Sequence, residues 1–204
     1  MEIAPQQAAP LVLASRSQTR RRILEGLGLR FEAIPADLPE TALLAELNAA
    51  GLSIPSQAMI LAATKAQVVA SRAPREAVII GSDQILDFDG AALETPVNPE
   101  AARDRLRMLR GKRHDLVAAV ALVHRGRMAG QAFERVAIWM RDYSDAELDA
   151  YFDLAPPADL ETVGAYAFES LGARLIERVE GDWFAALGMP VWPLLRRLRA
   201  LSTE

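Results

Sequence analysis

The stretch Leu11-Val-Leu-Ala-Ser-Arg-Ser-Gln-Thr-Arg-Arg-Arg-Ile-Leu24 constrains the fold more than any other part of the chain. Leu11 to Ala14 reads as a short apolar strand. Ser15, Ser17 and Thr19 form a hydroxylic turn, and the helix that follows begins with Arg20, Arg21 and Arg22. The first amide N–H groups of a helix have no internal partner, so a strand feeding a helix is a ready anion site. Arginines at that end oppose the helix dipole, which favours acidic residues there, so something must compensate. At about 3.6 residues per turn, Arg20 shares a face with Ile23, Leu24 and Leu27, the stripe that buries, while Arg21 and Arg22 point elsewhere. An arginine on a buried face needs an anionic partner. That partner is a phosphate or a structural carboxylate, or else the side chain snorkels at the stripe's edge. On this stretch alone the alternatives stand level.

Lys65 repeats the observation. It lies between Leu61, Val68 and Val69 in a helix read as Gln57 to Arg72, on the side that faces the core. A lone lysine there commonly snorkels outward. Two inward-placed basic residues favour a shared anion site. Farther on, Val78 to Ile80 is a continuous apolar run, as in a strand covered on both faces, and it leads into Gly81, Ser82 and Asp83. The chain then continues as an extended segment to Phe88, turns at Asp89-Gly90 and returns as a hairpin. Asp83 therefore lies within extended structure, at a position where open α/β sheets hold ligands, rather than in a plain turn.

The remaining elements follow from their punctuation. Gly26 and Gly28 end the first helix, Leu29 to Ile34 is a strand, and Asp37 and Glu40 lie in an acidic loop before a helix over Thr41 to Ala50. Ser56 caps the helix that carries Lys65, and Asn98-Pro-Glu opens a helix to Arg110 whose arginines form a solvated face. His114 to His124 and Met128 to Met140 form an antiparallel pair, and His114 has no neighbour at metal-ligand spacing. Ser144-Asp-Ala-Glu147 is a capping box for a helix to Leu154. Gly164 to Glu169 and Arg174 to Glu180 are read as short strands, and Pro190 to Leu201 is the closing helix, with Val191, Leu194, Leu195 and Leu198 inward. No linker divides the 204 residues, so the chain is expected to form one domain over 1–204, with residues 1–10 peripheral and any two lobes sharing an interface.

Half the residues are hydrophobic, enough for a core, and the net charge of −4 with no long basic block disfavours nucleic-acid binding. The chain has no cysteine, which excludes disulfide and thiolate chemistry. No apolar run approaches the ~18 residues of a membrane span, and the first ten residues are too polar for a signal peptide. A cytoplasmic protein with no membrane partner is expected.

The residues that stand out are the hydroxyls of Ser15, Ser17 and Thr19, the inward cations Arg20 and Lys65, and the acids Glu40 and Asp83. No Walker sequence, G-x-G-x-x-G, G-x-S-x-G or metal-spaced Cys/His set is present. Cations and helix amides clamp phosphates. Carboxylates hold a hard divalent cation such as Mg²⁺ and orient or deprotonate an attacking water. Together they suit phosphoanhydride hydrolysis of a nucleotide-like substrate.

These segments resemble the Maf family of nucleoside triphosphate pyrophosphatases over about residues 11–200. The opening Leu13-Ala-Ser-Arg-Ser-Gln-Thr-Arg-Arg-Arg-Ile-Leu24 follows the family pattern L-A-S-x-S-x-x-R-x-x-x-L. Further matches are Phe31 through Glu40, Leu61-Ala-Ala-Thr-Lys-Ala66, Gly81-Ser-Asp-Gln84, Leu109-Arg-Gly-Lys-Arg-His114, Gly164-Ala-Tyr166, Glu180-Gly-Asp-Trp183 and Leu187-Gly-Met-Pro190. The resemblance implies an α/β fold with an elongated mixed sheet flanked by helices, and two lobes with a cleft between them, like that of inosine triphosphatases. It also implies cleavage of a nucleoside triphosphate to the monophosphate and pyrophosphate, with Mg²⁺ or Mn²⁺ as cofactor, and often a homodimer. By position, Ser15, Arg20 and Lys65 match the phosphate site, Glu40 the acid near the metal, and Asp83 the proton acceptor, with Glu40 and Asp83 as metal ligands. Thr19, Gln84 and Glu169 match positions tied to base selection. Gln84 with Glu169 resembles the branch acting on 7-methyl-GTP more than the branch acting on dTTP and UTP.

One departure stands out. The family pattern has Lys-Pro after the hairpin, but here Leu93-Glu-Thr-Pro96 puts Thr95 in the lysine's place. A hydroxyl supplies no charge, and the loss is on the order of 1.5–3 kcal/mol of charge-assisted bonding unless Arg16 or Lys112 compensates. The alternative is therefore a nucleotide-binding regulator with weakened catalysis, linked through the family's old association with septum formation to cell division.

Overall fold

Strands β1 (Leu11–Leu13) and β2 (Phe31–Ala33) are three residues long, whereas β3 (Val78–Phe88) has eleven, and this mismatch makes the cleft. In the computed structural model, which describes residues 9–202, β1 lies parallel to both β2 and β3, with Leu13 opposite Ile80. Ala14 N–H donates to Ile80 O at 2.8 Å, and β1 goes no farther. On that same side β3 next meets β4 (Ala91–Leu93), from Leu86 onward. Gly81 to Ile85 are thus paired only on their other side, to β5 (Arg113–His124). A gap in the sheet opens where Asp83 lies.

β5 pairs antiparallel with β6 (Arg127–Met140), and β6 with β7 (Ile176–Glu180), giving the order β2-β1-β3-β5-β6-β7 with β4 beside β3. The run from His114 to Val123 is buried throughout, because helices cover both faces of the sheet there. Alternation along β3 divides its side chains. Ile79, Gly81, Asp83 and Ile85 meet helix α3 (Ile54–Ala70), whose Leu61, Ala62, Ala66 and Val69 are buried. On the opposite face, Val78 and Ile80 pack with α1 (Gln18–Gly26) and α8 (Val191–Leu201). Leu86 packs there with α4 (Pro99–Leu109) and α5 (Asp145–Leu154). The architecture is the expected mixed α/β sheet flanked by helices. Residues 1–8, part of the segment expected to be peripheral, lie outside the described residues. Among the described residues no helix is long and apolar enough to cross a membrane.

Caps agree with the sequence reading at Asn98, which accepts from Ala101 N–H at 2.8 Å, and at Ser144, whose capping box with Glu147 is complete. Elsewhere the structure corrects it. Ser53, not Ser56, caps α3, because the fixed φ of Pro55 suits a helix's first turn rather than a break before it. After the one-turn helix α6 (Pro157–Leu160), residues 164–169 form turns, not a strand. The Thr162 hydroxyl bonds both Tyr166 N–H and Tyr166 O, and Ala165 takes a positive φ of 60°. The last strand starts at Ile176, after a 3₁₀ turn over Leu171–Leu175. Arg105 is not on a solvated face: its guanidinium is half-buried and donates to Val163 O and Glu94 O.

His114 is structural, 1% exposed, with its Nε2 2.6 Å from the Tyr166 hydroxyl. Burial, then the charges of Arg105 and Arg113, hold its pKa down to about 4 from an ordinary 6.5. The unfolded chain therefore binds a proton that the folded one refuses between these values. The stability tied to neutral His114 is complete above pH 6.5 and is lost as pH falls toward 4. Urea unfolding at pH 7 and pH 4 should show His114→Gln relieved of on the order of 2–3 kcal/mol of the wild-type acid loss. Parallel losses in both proteins would refute the assignment.

Candidate active site

Lys65 does not snorkel. It is 7% exposed, and its ammonium lies 2.6 Å from Asp83 Oδ1 and 2.7 Å from Glu40 Oε2. Three elements converge on that atom. Lys65 comes from the middle of α3, Asp83 from the gap in β3, and Glu40 from the first turn of α2 (Glu40–Ala49), where the helix dipole favours a carboxylate. Burial disfavours the charge on Asp83 and raises its pKa. Lys65, by charge and hydrogen bond, and Arg20 oppose that rise, while Glu40 adds to it.

Arg20 approaches from the other face of the sheet. Its Nε donates to Gly188 O at 2.9 Å and its Nη1 to Ser15 Oγ at 3.4 Å. Burial weakens its hold on its proton, and Asp83 and Glu40 act against this through space. Arginine stays cationic under such conditions. Among the described residues its hydrogen-bond partners are neutral and no structural carboxylate touches it. Ser17 caps α1 by accepting from Arg20 N–H at 3.3 Å, and Ser15 Oγ accepts from Ser17 N–H at 3.1 Å.

A cleft of about 360 Å³ opens over these groups, lined by Ser15, Arg16, Arg20, Asp37, Glu40 and Lys65 among others. Its size suits a small-molecule ligand. Arg16 pairs with Asp37 across its mouth at 2.7 Å. Lys112 is directed elsewhere, 5.4 Å from the centre of the Phe88 ring. Thr95 is exposed and does not line the cleft; its neighbour Glu94 accepts from the hydroxyl of Thr41, next to Glu40, at 3.0 Å.

The residues matched to base selection fall in two places. The Thr19 hydroxyl donates to Glu169 Oε1 at 3.2 Å, joining α1 to the turn region. The Gln84 amide donates to Ala185 O and Ala186 O, at 3.1 and 3.0 Å, at the end of the short helix α7 (Trp183–Ala186). Two participants escaped the sequence reading as site residues. The Ser82 hydroxyl lies 2.9 Å from both Gly188 O and Ala119 O and shares its one proton between them, so the Gly188 carbonyl faces both Ser82 and Arg20. Gly188 supplies it with a φ of 87°, a conformation glycine adopts without strain, and the Leu187-Gly-Met-Pro190 motif was the signal available.

Chemically, the cleft joins a buried carboxylate whose charge is costly, and which is therefore proton-seeking, to two cations and a helix N-terminus. Glu40 and Asp83 each place one oxygen on Lys65, and among the described residues no group of three or more His, Cys, Asp or Glu stands ready for a metal ion. Two carboxylates still fit Mg²⁺, which commonly takes one or two of them with substrate phosphates and waters.

Over residues 10–201 the chain matches the model of a family described as Maf-like protein. A protein of Nitrobacter hamburgensis named nucleoside triphosphate pyrophosphatase is 42% identical over 195 residues, covering 94% of this chain and 93% of its own length. A Rhizobium etli protein named 7-methyl-GTP pyrophosphatase is 37% identical over 193 residues, 95% of this chain and 96% of its own. Among solved structures, a Mycobacterium abscessus nucleoside-triphosphatase, also described as a dITP/XTP pyrophosphatase, superposes with a TM-score of 0.43 at 17% identity, over 95% of this chain and 96% of that one.

Proposed function

Because the chain belongs to the family of Maf-like proteins, we propose that it hydrolyses a nucleoside triphosphate to the nucleoside monophosphate and pyrophosphate. The observation that carries this is the ammonium of Lys65 held between Asp83 and Glu40, at 2.6 and 2.7 Å, in the cleft that Arg20 also lines. Asp83 takes the proton of a water attacking phosphorus at the α–β anhydride, and the pyrophosphate departs. Arg20, Lys65 and Ser15 hold the phosphates and the charge that builds on them. Glu40 and Asp83 would hold a Mg²⁺ or Mn²⁺ ion. When bound, that ion supplies charge neutralisation on the phosphate oxygens.

The match of Gln84 and Glu169 to the branch acting on 7-methyl-GTP favours that substrate among the triphosphates; one relative, 37% identical, is named for it, while the 42% identical relative is named for nucleoside triphosphates in general. A panel of triphosphates with Mg²⁺ or Mn²⁺, assayed for released pyrophosphate, tests both statements. Turnover with 7-methyl-GTP ahead of GTP, dTTP and UTP is expected. No pyrophosphate from any triphosphate would sink the enzyme reading.

Thr95, exposed and uncharged, is the observation that favours a nucleotide-binding regulator instead. We expect wild type to turn over and Thr95→Lys to raise kcat/KM by no more than about tenfold, one charge-assisted contact's worth. An inactive wild type rescued by the lysine would establish the regulator.

A further inference from the structure

We propose that Arg16 is a movable phosphate-binding arm, parked on Asp37 in the free protein and transferred to the phosphates nearest the cleft mouth when a triphosphate enters. This rests on reading the cleft as a triphosphate site.

Charge balance motivates it. Arg16, Arg20 and Lys65 face the same cleft as Asp37 and Glu40, with Asp83 beneath, so three cations meet three carboxylates. A triphosphate adds several negative charges to a cleft whose lining charges and Asp83 balance, with Arg72 on the far side of Asp37 adding one cation from outside the lining. The inner cations are already committed: Lys65 to two carboxylates, and Arg20 to Gly188 O and Ser15 Oγ. Arg16 differs. Its side chain is 77% exposed, and among the described residues its one ion pair is to Asp37, itself 65% exposed.

An ion pair open to water on both sides is worth little, whereas arginine binds phosphate through paired, charge-assisted hydrogen bonds. The exchange is therefore downhill. Arg16 also stands between Ser15 and Ser17, on the loop that enters the N-terminus of α1, so its guanidinium and the helix amides can reach one anion. Asp37 is not abandoned. Arg72 Nη1 lies 3.5 Å from its Oδ2, while Arg72 Nη2 is anchored on Pro35 O at 3.0 Å. Asp83 is 6% exposed and acts deep in the cleft, so an arm at the mouth serves phosphates remote from the attacked one.

The test titrates inorganic tripolyphosphate into the full chain by calorimetry and measures KM and kcat for the best triphosphate in parallel. Arg16→Gln should weaken tripolyphosphate about tenfold and raise KM alike, with kcat changed less than about twofold. Arg16→Lys should recover part of the loss, because it keeps the charge without the planar fork. Asp37→Asn should tighten binding about threefold by releasing the arm. Arg22→Gln, which removes the same charge from an exposed site outside the cleft lining, should leave both readouts alone. Tripolyphosphate binding that is unchanged in Arg16→Gln, absent in wild type, or weakened equally by Arg22→Gln would overturn the proposal. If these binding shifts appear but no triphosphate is cleaved, the arm stands and the hydrolase reading alone fails.

Discussion

Replacing Asp83 by Asn should lower pyrophosphate release by about a thousandfold while the chain stays folded, a loss in the range removed with a general base. The amide retains an oxygen for the Lys65 ammonium, now 2.6 Å from Asp83 Oδ1, so the packing of α3 on β3 has no reason to change. Only the capacity to take a proton goes. Unchanged turnover would take the base role from Asp83. An unfolded variant would leave Lys65 to decide the matter through pH. Asp83 works as a base only when ionised, and burial raises its pKa, so the acid limb of kcat/KM should lie above that of an ordinary carboxylate. Lys65 opposes the rise and Glu40 adds to it. Lys65→Met should therefore move the limb to higher pH and Glu40→Gln to lower pH, whatever each does to the maximal rate. Shifts of the same sign, or none, would mean that another group sets the limb.

Gly81→Ala carries the largest expected cost in stability. A Cβ at Gly81 would sit 2.0 Å from Ala62 O, 2.9 Å from Ala66 N and 3.0 Å from Ala66 Cβ. Two of these atoms are helix backbone, which cannot swing aside as a side chain does, so α3 must lift off the sheet. A loss of about 4 kcal/mol in urea unfolding is expected, above the 1–3 kcal/mol usual for overpacking. Since α3 carries Lys65 and β3 carries Asp83, the folded remainder should also lose activity. Gly26→Ala, where a Cβ meets nothing within 4 Å, serves as the control and should change stability by less than about 1 kcal/mol. Equal effects at the two glycines would refute the contact argument.

Much of this arrangement was legible in the chain. The 3.6-residue period separated Arg20 from Arg21 and Arg22, and the same period turned Lys65 inward. The apolar run before Gly81, continued past Asp83, located that acid within a strand. Elsewhere local pattern misled. Gly164 to Glu169 alternates like a strand, but the Thr162 hydroxyl takes the Tyr166 backbone into a turn. Arg105 reads as one charge among many on α4, yet carbonyls 58 and 11 positions away draw it in.

The division has one physical source. Side-chain direction depends on the backbone within a turn or two, so local pattern was enough to turn Arg20 and Lys65 inward, to lay out most helices and strands, and to bring Asp83 into the interior. The partners those residues meet depend on how distant segments close on one another. Lys65 finds Asp83 across 18 positions, and Arg20 finds Gly188 across 168. That Lys65 is shared by two carboxylates, and that the cleft opens where β1 stops and β3 runs on, came from the packing of these distant segments. A strand's length is written locally, but the gap left beside its longer neighbour exists only once the two are paired.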